Sequence, residues 1–216
     1  MTAPKTAPSG GILITFEGID GCGKSTQSRL AAEFFVSRGC VVHSSREPGG
    51  SSIGPAVRSL LLDSSRPPCP LAEALLFSAD RAQHVHERIR PALARGEVVI
   101  LDRHTDSTLA YQGYGSGQDL AVLRQLNMIA TGGLVPQATF LLDLDPSVAA
   151  ERMEKRQPDR FEREAGEFHQ RVRDGFLHLA AMEPERIRVI DARGDQKAVA
   201  RLIQKQLEVL LEKLHA

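Results

Sequence analysis

The 216-residue chain carries no excess of either charge, no disulfide-like cysteine pattern and no apolar run long enough to cross a bilayer. Each absence removes a class of function. With 27 basic residues against 27 acidic ones, no whole-molecule field would gather nucleic acid. Three cysteines, scattered and odd in number, argue for reduced thiols in a cytoplasmic setting over an oxidised framework. Residues 1–10 are rich in Pro, Ala, Ser and Thr and lack the apolar centre of a signal peptide, so a disordered tail is expected there. No repeat or low-complexity linker interrupts the remainder. Residues 11–216 are expected to form one domain, and a hydrophobic content of 42% supports a well-buried core.

What is present is an alternation. β-prone runs at residues 12–17, 40–45, 98–102, 139–143 and 188–191 alternate with helical patterns at 24–38, 53–62, 71–94, 119–130, 146–155, 167–182 and 196–214. This predicts an α/β fold, a five-stranded parallel sheet with helices on both faces. Gly39 and Gly96 are placed to end helices, and Pro91 is expected to kink or divide the long third one. Charged and turn-forming residues follow every strand, most tellingly Arg46-Glu47-Pro48-Gly49-Gly50 after the second and Asp102-Arg103-His104 after the third. Open α/β sheets bind ligands at that carboxyl edge.

The first strand leads into Gly18-Ile19-Asp20-Gly21-Cys22-Gly23-Lys24-Ser25, a complete phosphate-binding P-loop, followed by Thr26 and a helical pattern. Strand, glycine-rich turn and helix N-terminus aim backbone N–H groups and the positive end of a helix dipole at one point. Gly18 and Gly23 keep side chains away from a phosphate, Lys24 supplies a mobile charge and Ser25 a hydroxyl for Mg²⁺. No Asn-Lys-x-Asp motif is present, which argues against a guanine-reading switch. The chain is also short for the paired or ring-forming modules of most motors. Arg46, Arg58, Arg81, Arg103, Arg152, Arg156 and Arg160 fall near predicted loops, and grouped arginines facing a P-loop suggest a second phosphate-bearing substrate.

These elements, with Phe77-Ser78-Ala79-Asp80-Arg81 and Ser107-Thr108-Leu109-Ala110-Tyr111-Gln112-Gly113, together resemble thymidylate kinases, in order and over nearly the whole chain. The resemblance implies a P-loop nucleoside monophosphate kinase-like fold with a short lid at about residues 152–164. It implies transfer of the ATP γ-phosphoryl group to dTMP with Mg²⁺, a step in dTTP synthesis, by a cytoplasmic homodimer with no nucleic-acid or membrane partner. ATP would contact residues Gly18, Ile19, Asp20, Gly21, Cys22, Gly23, Lys24, Ser25 and Thr26, with Arg152. Phe77 and Arg81 share a helical face; by resemblance Phe77 stacks on thymine and Arg81 bonds a base carbonyl. Ser107 and Thr108 would read the remaining pyrimidine edge, Tyr111 would crowd the position of a ribose 2′-hydroxyl, and Gln112 would lie nearby. Arg46, Arg58 and Arg103 would hold the dTMP phosphate, with Glu47 and Pro48 beside them. Asp20 would lie near the sugar 3′-hydroxyl and, with Ser25, near the metal.

A phosphate monoester has its second pKa near ~6, so the attacking oxygen is already mostly anionic at neutral pH. No general base is expected, and catalysis reduces to positioning two polyanions amid positive charge. Lys24, Arg103, Arg156 and Arg160 are the expected catalytic set. One branch of the family has an arginine within the P-loop; that position here is Gly21, so the lid arginines should supply the charge, Arg156 foremost. A kinase for another nucleoside monophosphate or for a nucleoside, the latter with Glu17 or Asp102 as base, and a partner-driven ATPase switch are the rival readings. His84 and His86 are two apart on a helix and make a poor metal pair, and Cys22 reads as small-residue packing.

Overall fold

The computed structural model describes residues 10–153 and 160–215; the expected tail therefore lies almost wholly outside the described residues, as does Arg156 in the lid. Five strands, β1 (Ile12–Glu17), β2 (Val42–Arg46), β3 (Val98–Asp102), β4 (Ala138–Asp143) and β5 (Ile187–Asp191), pair in the order β2-β3-β1-β4-β5, all parallel. The expected sheet is present. β1 is central, with all six of its residues buried: Ile12, Ile14 and Phe16 on one face, Leu13, Thr15 and Glu17 on the other.

Alternation along the strands sorts the core into two layers. Ile14 and Phe16 pack with Ile100 and Phe140 on one side, under α1 (Lys24–Val36), α8 (Gly166–Met182) and α9 (Gln196–His215). Leu13 joins Val99 and Leu101 on the other, against Val85, Ile89 and Leu93. Each such side chain, fully withdrawn from water, contributes about 1.5–3 kcal/mol. Register sets the functional edge: Arg46 pairs with Asp102, and Asp102 with Phe16, so the loops after β1, β2 and β3 leave the sheet side by side.

The remaining helices are α2 (Gly54–Leu62), α3 (Pro70–His84), α4 (Arg90–Ala94), α5 (Thr105–Thr108), α6 (Leu120–Thr131) and α7 (Pro146–Met153). The long third helix does divide, but the irregularity is a π-helical turn, Val85–Ile89, just ahead of Pro91. Proline has no N–H to return to the preceding turn, and the widened turn absorbs the missing bond. The sequence reading missed α5 and the π-helical stretch Leu109–Gly115 that follows it. Gly39 and Gly96 both adopt positive φ directly after helices, as expected of helix ends.

Candidate active site

The three adjoining loops and the α3 and Leu109–Gly115 helices enclose a cleft of about 370 Å³. Its walls include Asp20, Gly21, Gly23, Lys24, Ser25 and Thr26 of the P-loop, then Arg46, Glu47, Pro48 and Arg58, then Phe77, Arg81, Arg103, Ser107, Thr108, Tyr111 and Gln112. The sequence reading assigned every one of these. Gly18, Ile19, Cys22, Arg152 and Arg160, also assigned, do not form its walls.

Glycine is needed in the P-loop for backbone reasons. Gly18 has φ +135° and a Cβ there would sit 2.6 Å from the Leu142 carbonyl oxygen. Gly21 has φ +79°, with Ala149 O of α7 2.6 Å from where a Cβ would lie, so this loop has no room for the arginine of the other branch. The Lys24 ammonium donates to Ile19 O at 2.8 Å and lies 3.9 Å from Asp20. Burial pushes the Cys22 thiol up, in keeping with a packing role.

Arg103 is a hub of hydrogen bonds in the cleft wall. It takes positive φ (71°), unlike any other described non-glycine residue. From there Nη1 donates to Gly18 O and Ser107 Oγ, and Nη2 to Asp20 Oδ1 (2.6 Å) and the Tyr111 hydroxyl (3.0 Å). Tyr111 in turn donates to Asp20 Oδ2 at 2.8 Å. Burial alone would raise Asp20, but Arg103 and Lys24 hold its carboxyl far below the usual range. Burial likewise opposes the charge on Arg103, and Asp20 with Tyr111, Asp102 and Glu17 together more than restore it. The result is a fixed ion pair between two strand-end loops.

A second buried cluster centres on Glu47, joined to Pro48 by a cis peptide bond. Its Oε2 accepts from Arg81 Nε at 2.8 Å, and its Oε1 from Nδ1–H of His84 (3.0 Å) and His104 (3.2 Å). Burial would raise Glu47; His104 and Arg81 hold it well below the ordinary carboxylate value. Arg81 also donates to Thr108 Oγ1, Asn127 Oδ1 and His104 O. Its orientation is thus fixed by the protein. Neither His84 nor Asn127 was singled out from sequence as part of the site; only their burial and partners reveal them.

Ser107, expected at the pyrimidine edge, donates its hydroxyl to Glu17 Oε2 at 2.5 Å, beneath the cleft. Glu17 Oε1 accepts from His104 N and Ser107 N. Burial, then the charge of Asp106, raises Glu17 to about 7. Gln112 donates to Glu73, which also pairs with Arg160; Arg160 further donates to Leu61 O at 3.0 Å. That anchoring ties Arg160 to α2 and α3. Arg152 donates to Ala192 O and Arg193 O, linking α7 to the loop after β5. Phe161 and Glu162 do line the cleft, and Phe161 packs 6.1 Å from both Phe77 and Tyr111, a contact the lid reading had not included.

One donor set suits a hard cation. Ser25 Oγ lies 2.5 Å from Asp102 Oδ2, with Asp20 in the same cleft. Two or three oxygen ligands beside a phosphate loop fit Mg²⁺, which takes few protein ligands and fills its sphere from water and phosphates. Asp102 was read as part of a motif but not as a metal residue; the expected pair was Ser25 and Asp20. Among the described residues no cluster of three or more His, Cys, Asp or Glu side chains offers a cage for another metal.

Comparison with known proteins agrees with this geometry. The family model for thymidylate kinase matches residues 16–203. A thymidylate kinase of Geobacter sp. (strain M21) is 48% identical over 212 residues, covering 94% of each chain. One from Synechococcus sp. (strain JA-3-3Ab) is 55% identical over 189 residues, 88% of this chain and 91% of the relative. The crystal structure of thymidylate kinase from Ehrlichia chaffeensis superposes with a TM-score of 0.75 at 38% identity, over 92% of this chain and 99% of that one. A nucleotide-kinase cleft on a matching sheet, with relatives this similar over nine-tenths or more of their length, means that the chain belongs to the thymidylate kinase family.

Proposed function

We propose that the chain transfers the γ-phosphoryl group of ATP to dTMP, giving dTDP for dTTP synthesis. The observation carrying this reading is one cleft that joins a P-loop to three arginines, Arg46, Arg58 and Arg103, and to an aromatic pocket made by Phe77, Phe161 and Tyr111. The P-loop amides and Lys24 hold the donor phosphates. The arginines hold the acceptor monoester and offset repulsion between the two anions. Arg81, fixed by Glu47, turns one edge toward the base, and Tyr111, fixed by Asp20 and Arg103, closes the sugar side. Arg152 beside Ala192 and Arg193 suits the donor's base. Mg²⁺, held through Ser25 and Asp102 with Asp20 close by, would neutralise phosphate charge when bound.

No base is needed at the acceptor oxygen. Glu17, despite a pKa near neutrality, is spoken for by His104 N and by Ser107 N and Oγ, and it lies under the cleft floor. This disfavours the nucleoside kinase reading. ADP release from ATP and Mg²⁺, measured across a panel of nucleoside monophosphates, tests the assignment. Strong preference for dTMP is expected, with dUMP a poorer substrate; equal turnover of purine monophosphates would reject it.

Arg156 is assigned the lid contact to the transferring group. Arg156→Ala is expected to lower kcat by about 10²–10³ while dTMP affinity stays nearly intact, the scale of losing one charge-stabilising donor. A kcat within threefold of wild type would withdraw the role. A homodimer through α3 and α6, which pack together, is supported by Leu71, Leu75, Val122, Met128 and Ile129, all large, apolar and exposed. Operation in the cytoplasm as one kinase domain over residues 11–216 fits the thiols, and among the described residues no helix is long and apolar enough to cross a membrane.

A further inference from the structure

Among the buried carboxylates that the proposed function leaves unused, Asp80 stands next to the site. Asp80, on α3 between Phe77 and Arg81, is fully buried and does not form the cleft wall. Both its oxygens are directed at the loop after β2: Oδ2 accepts from Gly49 N at 2.7 Å, and Oδ1 from Ser51 Oγ at 2.5 Å. The packing around it is tight. A Cβ on Gly54, the first residue of α2, would meet Gly49 Cα at 2.7 Å and Asp80 Oδ1 at 2.8 Å.

Gly49 is where this anchoring meets the cleft. A Cβ there would lie 3.5 Å from Arg58 Cδ and 3.9 Å from Arg46 Nε, so the glycine sits between the stems of two of the three phosphate-facing arginines. Its φ of +121° also requires a partner to hold it, since glycine has the widest conformational freedom of any residue. Arg58 Nη1 additionally donates to Pro48 O, one residue earlier in the same loop. Fixing Gly49 N therefore fixes the backbone against which both arginines rest.

We infer that Asp80 is a positioning residue for the acceptor phosphate, presetting Arg46 and Arg58 through the Gly49–Ser51 turn, while its helix neighbours serve the base. The inference rests on the proposed dTMP site. It predicts an effect confined to one half of the substrate. Thymidine has the base and sugar but no phosphate, so it separates the two halves.

The test is calorimetric binding of dTMP and of thymidine to wild type, Asp80→Ala, Asp80→Asn and Ser51→Ala, with melting temperatures recorded. Asp80→Ala is expected to weaken dTMP on the order of tenfold, the scale of losing charge-assisted hydrogen bonds, with thymidine changed less than about twofold. Asparagine can accept from Gly49 N and donate to Ser51 Oγ, so Asp80→Asn should restore most of the dTMP affinity. Ser51→Ala should fall between the two, which keeps the question open to measurement if the alanine variant at 80 does not fold. Equal losses for both ligands, or unchanged dTMP binding in the variants, would overturn the role of Asp80. Wild-type protein that binds dTMP no better than thymidine would instead overturn the phosphate site itself, and this inference with it.

Discussion

Arg103→Ala is expected to lower kcat/KM for dTMP by about 10³ or more, the largest catalytic loss of any single substitution considered for this chain. The reason is that one guanidinium performs three tasks. It presents positive charge at the acceptor end of the cleft, it orients Tyr111, and it pairs Asp20. Removing it leaves Asp20 with the Tyr111 hydroxyl and, as its cation, Lys24 at 3.9 Å, which would draw the P-loop lysine toward the wrong anion. Breaking a well-buried ion pair costs 3–5 kcal/mol; Asp20 is 23% exposed and keeps one cation, so about 2 kcal/mol of stability should go with the activity. Arg103→Lys is expected to recover little, because one ammonium cannot span Gly18 O, Ser107, Asp20 and Tyr111 together. Steady-state kinetics at saturating ATP and denaturant midpoints on the same samples check both halves. Activity within tenfold of wild type would remove Arg103 from the centre of the site.

Arg103 also shows where sequence reading runs out. Its place at the end of β3 was legible, because an apolar run followed by Asp-Arg-His has few other interpretations beside a P-loop. Its positive φ and its bond to Asp20 were not, since they depend on β1 and β3 lying in register, Phe16 beside Asp102. The sheet itself was readable from periodicity, and strand limits fell within two residues. The stretch Leu109–Gly115 was not read as helix, because Tyr-Gln-Gly-Tyr-Gly breaks helical propensity and packing, chiefly on α8 and also on α5 and α6, holds it. Arg160 was legible as a lid cation by composition, but its pairing with Glu73, 87 positions earlier, was not. His84 read as an unremarkable helix residue, and its value appears only when Glu47 is brought beneath it by the β2 loop. Motifs near a strand end announce themselves; side chains that hold those motifs from another element do not.

Glu17 is such a holder, and it should leave a signature in the pH dependence of stability. Its folded pKa of about 7 lies above the ordinary 4.5, chiefly through burial and then through Asp106, which is itself paired with Arg186. Between those two values the folded protein keeps a proton on Glu17 that the unfolded chain has already released. Stability from this group is therefore greatest below pH 4.5, falls as pH rises through 7, and is flat above, where the cost is about 3 kcal/mol. Glu17→Gln removes the titration. Its free-energy difference from wild type should grow by about 3 kcal/mol in favour of the variant between pH 4.5 and pH 8. Any fixed penalty from exchanging an oxygen for an amide among the Ser107 and His104 donors shifts that curve without altering its slope. Urea denaturation of both proteins across this range measures the slope, and parallel curves would show that Glu17 does not titrate there. A carboxylate kept at this cost is one that the neighbouring loop uses: ionised, it accepts from Ser107 and His104 N and adds to the negative field that retains the charge on Arg103. The glutamine variant should accordingly bind dTMP less tightly at pH 8.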